Sequence, residues 1–340
     1  MKAGRGRPWW VTPLWIVAVL AVAVEALRFV PSGQIITAPG ITGNLAQMVE
    51  VKSGHRPGPG RMLMVAVTIG TSSEFQYLTR WFRPTLAFQP QQQVLGPLNM
   101  NQYIQLNNGL MQQSQWAAKV AGERLAGYNA RIETLPGAQV VGVLKNGTAL
   151  GKIKPGDIIT RLGPYRVKNY TDLRSIMKHF QVGAIINVTV LRGSQQLVVP
   201  VKTTKIAHDP APAIGVYIGP WQKPVIPRPV AINAGQIGGP SAGMMFALEI
   251  YSQLTGANIA HGRTIAGTGE ILPNGSVLTI GGVQQKVVTI YRAGARVFVV
   301  PKGNYQAAEA MAQKMGYRNL KIFPVSNVRQ ALRDFESATS

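Results

Sequence analysis

The sequence predicts an α+β protein with an N-terminal transmembrane helix, and two observations lead to this prediction. A basic start precedes an uncharged, largely apolar stretch over residues 9–24. From residue 128 onwards, short apolar runs alternate with helical patterns and glycine-rich turns, which is typical of mixed folds and not of helical bundles. With 340 residues, the chain is long enough for two or three domains.

The net charge is strongly positive, because 35 Lys and Arg residues face only 13 Asp and Glu residues, which gives +22. We expect a cationic surface that meets anionic lipid or cell wall. No dense Lys/Arg block is interleaved with aromatic residues, so we expect no nucleic-acid partner. The chain has no cysteine and only four histidines. Thiol chemistry is therefore excluded, and neither a metal site nor a cofactor is expected.

The N-terminal stretch has features of a membrane anchor. Trp9 and Trp10 suit one membrane interface, and Arg28 can extend to the other. Basic residues before the stretch predict a cytoplasmic N-terminus. A cleaved signal peptide is the alternative, since Ala21-Val22-Ala23 has a small-x-small form. We favour the retained anchor, and so predict a single-pass cell-membrane protein with lipid as a partner and most of the chain extracytoplasmic.

The segment that follows the anchor gives few signals. A continuous apolar run at residues 62–68 predicts a buried strand. A helical connector is expected from about residue 99 to residue 125. Residues 71–115 are rich in Gln, Asn and aromatic residues, and we assign them no chemistry.

Residues 128–203 have a different pattern. The predicted elements are strands at 140–144, 185–191 and 196–201 and a helix at 170–179. Lys154-Pro155-Gly156-Asp157-Ile158-Ile159 stands before that helix. The order and the motif resemble a PDZ domain of the circularly permuted bacterial type, although Leu162-Gly163-Pro164 replaces the usual Asp-Gly.

Modules of this type bind a peptide as an extra strand at a sheet edge, where backbone amides hold its end. The resemblance implies that the helix at 170–179 is the far wall of the groove. The alternative is that Pro136-Gly137 is an ordinary turn. Several prolines between residues 210 and 229 predict a linker into the last domain. By the resemblance, the amide loop consists of Leu135, Pro136, Gly137 and Ala138.

A glycine-rich segment at residues 238–243 places Ser241 at the start of an apolar run. Pro240 is suited to a first helical position, so we predict a helix to about residue 254 that is apolar nearly all round and therefore buried. Free N–H groups at its start would stabilise an oxyanion beside the hydroxyl. The alternative is that Ser241 only caps the helix. The residues expected to line the oxyanion and to let a substrate backbone approach are Gly239, Pro240 and Ala242.

Lys286 lies on a second predicted helix, which begins at Val283 and ends at Gly294. Its position is about 60° from the centre of the apolar stripe, whereas Gln285 and Arg292 occupy the opposite face. Burial lowers the pKa of a lysine and makes it a general base. The alternative is that the ammonium reaches water past the stripe.

Three motifs in this order resemble the proteolytic domain of Lon proteases: Gly239-Pro240-Ser241-Ala242-Gly243, Thr268-Gly269-Glu270 and Ile280-Gly281-Gly282-Val283-Gln284-Gln285-Lys286. The resemblance implies a serine–lysine dyad of Ser241 and Lys286, with Thr268 beside it. Together with the anchor and the PDZ-like segment, it indicates the membrane-anchored bacterial PDZ–Lon proteins. Residues 62–68 would then belong to the protease domain, with the PDZ module inserted.

Two departures from the Lon pattern bear on substrates. Gly238 stands where ATP-driven Lon enzymes often carry an acid, and no Gly-x-x-x-x-Gly-Lys-Ser/Thr motif occurs in the sequence. ATP-driven unfolding is therefore not expected, and substrates should be short, extended or flexible. The resemblance implies an ATP-independent serine endopeptidase that cleaves exported or membrane-associated peptides and proteins.

Four domains are expected on this basis. Their ranges are 1–30 for a cytoplasmic stub and anchor, 31–127 for the first part of the protease domain and the connector, 128–204 for the PDZ module and 205–340 for the Lon-type domain. Two alternatives stay open. One is an anchored peptide-binding scaffold whose protease domain has lapsed. The other is an esterase with Gly239-x-Ser241-x-Gly243 as its elbow, for which only Glu249 and His261 are available as further triad members.

Overall fold

The computed structural model describes residues 11–96, 98–144, 147–206 and 209–339. The chain forms two compact units. The discontinuous unit comprises Met1–Ala130 and Ile226–Ser340, and the inserted unit comprises Arg131–Val225. The domain ranges expected from the sequence stay predictions, because compactness alone assigns no identity to a unit.

The elements run in the following order along the chain. Before the insertion lie α1 (Val11–Ala26), β1 (Pro31–Asn44), α2 (Leu45–Met48), β2 (Val49–Val51), β3 (Arg61–Ser73), α3 (Glu74–Leu78), β4 (Ala87–Pro90), α4 (Gln91–Leu95) and α5 (Met100–Leu125). The inserted unit contains β5 (Arg131–Val143), β6 (Ile158–Leu162), β7 (Tyr165–Arg166), α6 (Asp172–Met177), β8 (Ile185–Arg192), β9 (Gln195–Lys202), β10 (Thr204–Ile206), β11 (Asp209–Ala213) and β12 (Val216–Val225). After it lie β13 (Val230–Ile232), α7 (Gly243–Thr255), β14 (Thr264–Gly267), β15 (Glu270–Ile271), β16 (Val277–Leu278), α8 (Val283–Arg292), β17 (Val297–Pro301), α9 (Tyr305–Lys314), β18 (Lys321–Val325) and α10 (Val328–Thr339). Short 3₁₀ turns lie at Arg80–Phe82, Pro240–Ala242 and Lys302–Asn304.

The discontinuous unit is built on a sheet of order β18-β17-β14-β3-β1-β4. The first four strands are parallel, and β3–β1 and β1–β4 are antiparallel. The buried strand expected at residues 62–68 is confirmed as part of β3. Since β3 is the parallel neighbour of β14, chain from both sides of the insertion builds one sheet.

Helices cover both faces of this sheet. Side chains alternate along a strand, so Met62 and Met64 of β3 join one buried cluster, with α5, α7 and α10. Leu63 and Val65 of the same strand join the other cluster, with α8 and α9. The predicted buried character of the helix after Ser241 is confirmed, because most of α7 is buried. α7 and α8 therefore lie on opposite faces of the sheet.

The predicted transmembrane helix is wrong. α1 has 16 residues, which at 1.5 Å per residue span about 24 Å, short of a hydrocarbon core of about 30 Å. Among the described residues, no helix combines the length and the apolarity that a membrane crossing needs. The predicted anchor and the single-pass location in the cell membrane are overturned with it, and lipid as a partner is not supported. Trp9, Trp10 and the basic residues before them lie outside the described residues.

The inserted unit is an antiparallel sheet of order β12-β5-β6-β8-β9, with β7 paired to β6. α6 packs on it through Leu173, Ile176 and Met177. The linker predicted from prolines 210–229 is wrong for much of its length, because β12 is a strand over Val216–Val225 and pairs with β5. Proline lacks a ladder donor and is tolerated at sheet edges, and β12 is the edge strand of this sheet.

The close packing of α5 on α7 is testable at a glycine. A Cβ added at Gly122 would stand 2.7 Å from the carbonyl oxygen of Ala247 and 2.9 Å from Cβ of Ile250. We therefore expect Gly122→Ala to lower the free energy of unfolding by about 1–3 kcal/mol. Gly109 is an exposed position of the same helix, with nothing within 4 Å of an added Cβ. Gly109→Ala should raise the free energy of unfolding by about 0.5–1 kcal/mol.

Urea denaturation followed by tryptophan fluorescence measures both changes. Equal effects of the two substitutions, in sign and in size, would contradict the close contact between α5 and α7.

Candidate active site

Ser241 lies where the chain turns into α7. Gly239 has φ 88° and ψ 155°, a backbone conformation open to glycine almost alone. The following turn, Pro240–Ala242, leads directly into α7, and Pro240 occupies its first position. Ser241 is half-buried, unlike the fully buried residues that follow it. The predicted helix after this serine is present, but α7 begins two residues later than expected, at Gly243.

Lys286 lies in the first turn of α8 and is 2% exposed. Its Nζ is 2.6 Å from Oγ of Ser241. The side chain points into the protein and does not reach water past the apolar stripe, which removes that alternative. Gln285, placed on the solvent face by the helical wheel, is also buried, and its Nε2 donates to the carbonyl oxygen of Thr85 at 3.4 Å. Chain outside the helix thus covers Gln285, which a helical wheel does not show, whereas Arg292 on the same face is exposed.

Thr268 follows directly after β14 and is fully buried. Its Oγ1 accepts a hydrogen bond from Nζ of Lys286 at 2.9 Å and donates one to the carbonyl oxygen of Ser241 at 3.0 Å. The N–H of Gly269 donates to the same carbonyl oxygen at 2.8 Å. Ser241, Thr268 and Lys286 are thus brought together by three separate elements.

The electrostatics of the site are set by the burial of one amine. Burial lowers the pKa of Lys286 from 10.5 to about 7, because desolvation penalises the charged form. A substantial fraction of the amine is then neutral near pH 7. A neutral amine has a lone pair that can accept the hydroxyl proton of Ser241 while one of its N–H groups donates to Thr268.

The three other residues expected near the oxyanion differ in what they can offer. Pro240 has no N–H. The N–H of Gly239 donates to the carbonyl oxygen of Asn107 at 2.8 Å, and Ala242 is buried within the turn. In the part of the chain that the structure describes, no acceptor is recorded for the N–H of Ser241. The roles assigned to Gly239, Pro240 and Ala242 stay predictions.

Sequence reasoning missed the contribution of α5, which it treated only as a connector. Oγ of Ser114 donates to the carbonyl oxygen of Pro240 at 2.8 Å, and Asn107 accepts from Gly239 as described. Both contacts join residues more than 120 positions apart. No local pattern in the Gln- and Asn-rich sequence of α5 indicates them.

The predicted amide loop at Leu135, Pro136, Gly137 and Ala138 lies inside strand β5. Ala138 pairs with Ile159 of β6 and with Pro220 of β12. A groove of about 150 Å³ lies elsewhere in the inserted unit, between α6 and the start of β12. Its lining includes Leu173, Met177, Ile214, Gly215, Val216 and Ile218. Peptide binding at residues 135–138 stays a prediction. Of the four, Ala138 has the sheet partners just named, and the N–H of Gly137 donates to the carbonyl oxygen of Lys168 at 3.3 Å.

The buried amine predicts a pH-dependent effect on stability. The folded-state pKa of about 7 against an ordinary value of 10.5 corresponds to about 5 kcal/mol. Because the folded pKa is the lower one, the unfolded state binds more protons between these values, and wild-type stability falls as the pH falls through this window. Lys286→Met removes the effect. The difference in the free energy of unfolding, Lys286→Met minus wild type, should therefore grow by about 5 kcal/mol as the pH falls from 10.5 to 7. Below pH 7 this difference should not change further.

Urea denaturation of both proteins at several pH values checks this. Lys314→Met, at an exposed position of α9, is the control for removing one lysine. A difference between Lys286→Met and wild type that does not change with pH would show that the amine is not desolvated.

The C-terminal part of the chain is similar to known proteins. Residues 230–335 match the family model of the Lon protease (S16) C-terminal proteolytic domain. The chain is 38% identical over 94 residues to a Lon protease of Chloroflexus aggregans, an alignment that covers 28% of this chain and 11% of that protein. It is 36% identical over 123 residues to a Lon protease of Azospirillum brasilense, which covers 36% and 15%. The chain thus spans a small part of the length of these relatives.

Solved structures provide a further similarity. A PDZ domain of an SdrC-like protein from Listeria monocytogenes matches with 22% identity, over 25% of this chain and 90% of that one, at a TM-score of 0.24. The corresponding domain from Listeria innocua matches with 23% identity over 24% and 92%, at a TM-score of 0.23. These scores carry no functional conclusion. The finding on which a functional proposal can draw is that residues 230–335 are similar to the Lon proteolytic domain.

Proposed function

We propose that this chain is a serine endopeptidase that uses a dyad of Ser241 and Lys286. The observation that carries the proposal is the 2.6 Å contact between Nζ of Lys286 and Oγ of Ser241. A hydroxyl becomes a nucleophile when a base within hydrogen-bond reach takes its proton, and burial has lowered the pKa of this amine to about 7. The similarity to Lon proteolytic domains supports the same chemistry.

The reaction begins when neutral Lys286 accepts the proton of Ser241. Oγ attacks the peptide carbonyl carbon, and the oxygen of the tetrahedral intermediate faces the N–H groups at the start of α7. The ammonium of Lys286 then gives its proton to the leaving amine as the C–N bond breaks. Water attacks the acyl-enzyme with Lys286 again as the base, which releases the new carboxyl group and restores Ser241.

Thr268 holds both members of the dyad in place through hydrogen bonds. As the acceptor for one N–H of Lys286, it holds Nζ beside Ser241, and as a donor to the Ser241 carbonyl it fixes the nucleophile's backbone. The 340 residues contain no phosphate-binding loop motif. We therefore propose that these residues hydrolyse peptides without using ATP. Short, extended or flexible peptide segments are the proposed substrates.

The pH dependence of peptide cleavage tests the dyad. We expect kcat/KM for a short fluorogenic peptide to rise through about pH 7, because Lys286 must lose its proton to act as base. Ser241→Ala and Lys286→Arg should each lower kcat by at least 10³-fold, the second because a guanidinium stays charged. Lys314→Arg, exposed on α9, is the matched control.

Labelling with a fluorophosphonate probe gives a second measurement. The probe should modify Ser241 in wild type and fail to do so in Lys286→Ala. Normal cleavage by Lys286→Arg would contradict the assignment of the base. Folded wild-type protein that neither cleaves peptides nor reacts with the probe would favour the scaffold alternative.

We further propose that the inserted unit recruits peptides as a PDZ-like module. The resemblance of residues 128–203 to PDZ domains supports this, and so does the groove between α6 and β12. Since β12 pairs with β5 alone among the described strands, its outer edge can accept a peptide as a further strand. For this groove we propose Ile214, Gly215 and Val216, which line it, as an amide-bearing segment in addition to the one expected at residues 135–138.

Two neighbouring positions on β12 separate recruitment from chemistry. Ile218 lines the groove, whereas the adjacent Tyr217 is exposed. We expect Ile218→Ser to raise KM for labelled casein about 3- to 10-fold and to leave cleavage of a short fluorogenic peptide unchanged. Tyr217→Ser should change neither. A loss of short-peptide cleavage in Ile218→Ser would contradict the separate role of the groove.

A further inference from the structure

We infer that Ser114 of α5 is a positioning residue that aims the N–H of Ser241 at the substrate oxyanion. The inference rests on the proposed function. Ser114 lies 127 positions before the nucleophile in the chain, on a helix that has no other assigned chemistry.

The first step is the unusual partner of a buried hydroxyl. Ser114 is 3% exposed, and its Oγ donates to the carbonyl oxygen of Pro240 at 2.8 Å. Buried serines inside helices often bond to a carbonyl of their own helix. Here the hydroxyl instead leaves α5 and reaches the turn that carries the nucleophile. A Cβ at Gly243 would collide with this hydroxyl, so the first residue of α7 leaves space for it.

The second step follows from the geometry of a peptide unit. The carbonyl of Pro240 and the N–H of Ser241 belong to one planar trans unit, in which they point in opposite directions. Fixing the carbonyl therefore fixes the direction of the N–H. The same carbonyl oxygen also accepts from the N–H of Gly243 within the 3₁₀ turn, but hydrogen bonds in such short turns have poor geometry. Ser114 supplies a second donor that holds the plane.

The next peptide unit is held in the same manner. The carbonyl of Ser241 accepts from Oγ1 of Thr268 and from the N–H of Gly269, which fixes the plane that carries the N–H of Ala242. Two consecutive carbonyls are thus each held by a buried hydroxyl from a different element. Two consecutive N–H groups are aimed as a result.

The third step concerns the support behind Ser114. Asn107 and Ser114 are seven residues apart and so lie on one face of α5. Asn107 accepts the N–H of Gly239, directly before the turn. α5 therefore holds the segment from Gly239 to Pro240 at two points. A static, preorganised donor is what stabilises charge in a transition state without reorganisation.

The experiment compares Ser114→Ala with Ser114→Thr and with Ser252→Ala. Ser252 is also buried, and its Oγ donates to a backbone carbonyl, that of Ala257, at 2.7 Å, but this bond lies at the far end of α7. We expect Ser114→Ala to lower kcat for a short fluorogenic peptide about 10- to 100-fold, with KM within about 2-fold of wild type. Ser114→Thr keeps a hydroxyl and should recover most of the rate. Ser252→Ala should keep wild-type kcat.

Two further readouts separate aiming from a general structural role. The pH midpoint of kcat/KM should be the same in Ser114→Ala and wild type, because Lys286 is untouched. The inhibition constant of a peptide boronic acid, whose adduct places an oxygen in the oxyanion position, should rise by about the same factor by which kcat falls. Thermal unfolding of every variant shows that each one is folded.

The inference is overturned if Ser114→Ala cleaves at the wild-type rate, if its pH midpoint moves, or if Ser252→Ala loses as much activity. It is also overturned if Ser114→Thr, folded, is as impaired as Ser114→Ala. If wild type is active and Ser114→Ala has the same kcat, the inference fails but the proposed function is unaffected. An inactive wild type overturns the proposed function and, with it, the inference.

Discussion

The burial of one amine determines how the rest of the site is arranged. For a lysine that is 2% exposed, the charged form loses its hydration, so burial lowers the pKa to about 7 and a substantial fraction of the amine is neutral near pH 7. Lys286 lies in the first turn of α8 and contacts Ser241, directly before α7. The hydroxyls of Ser241 and Thr268 satisfy its hydrogen bonds without offering a charge. The arrangement lowers stability near neutral pH and, under the proposed mechanism, maintains a base beside the nucleophile.

The topology of the sheet explains how two helices on opposite faces can meet. α7 and α8 are separated by the sheet along most of its width, and they come together only past the carboxyl end of a strand. β14, a central strand, ends at Gly267, and Thr268 directly follows it. Open α/β sheets bind ligands in this position for the same reason. Thr268 is therefore placed between the nucleophile and the amine by chain order alone, and its hydrogen bonds to both follow from that position.

Local patterns in the sequence indicate the main residues of this site, but few of the residues that surround them. Ser241 and Lys286 could be singled out, because a glycine-proline start and an apolar stripe are properties of ten or so neighbouring residues. Their pairing as a dyad is expected only from the resemblance of the three motifs to Lon proteases. The burial of Gln285 could not be, since chain outside α8 covers it, and neither could the contacts of Ser114 or Asn107, whose partners are more than 120 positions away. The transmembrane prediction relied on the apolar composition of the N-terminal stretch and gave too little weight to its length. The 16 residues of α1 are too few to span a membrane. The prolines of β12 are typical of a linker, and the sequence does not show that this segment is an edge strand, where proline is tolerated.

Helix α5, whose sequence gives few signals, makes several of the contacts that organise the discontinuous unit. α5 contacts the nucleophile turn near its middle, and 26 residues make it about 39 Å long. Near its end, the fully buried carboxylate of Glu123 accepts the backbone N–H of Arg228 at 3.2 Å and 3.3 Å, just after the chain returns from the insertion. Burial raises the pKa of Glu123 to about 7 while Arg228 lowers it, so this carboxyl is neutral in part near pH 7 and is held by backbone donors more than by charge. One helix thus joins the nucleophile turn to the point where the chain re-enters, and its Gly122 allows it to lie close against α7. The side chains of Ser114 and Glu123 make specific hydrogen bonds to these two places, which a purely apolar helix face could not supply.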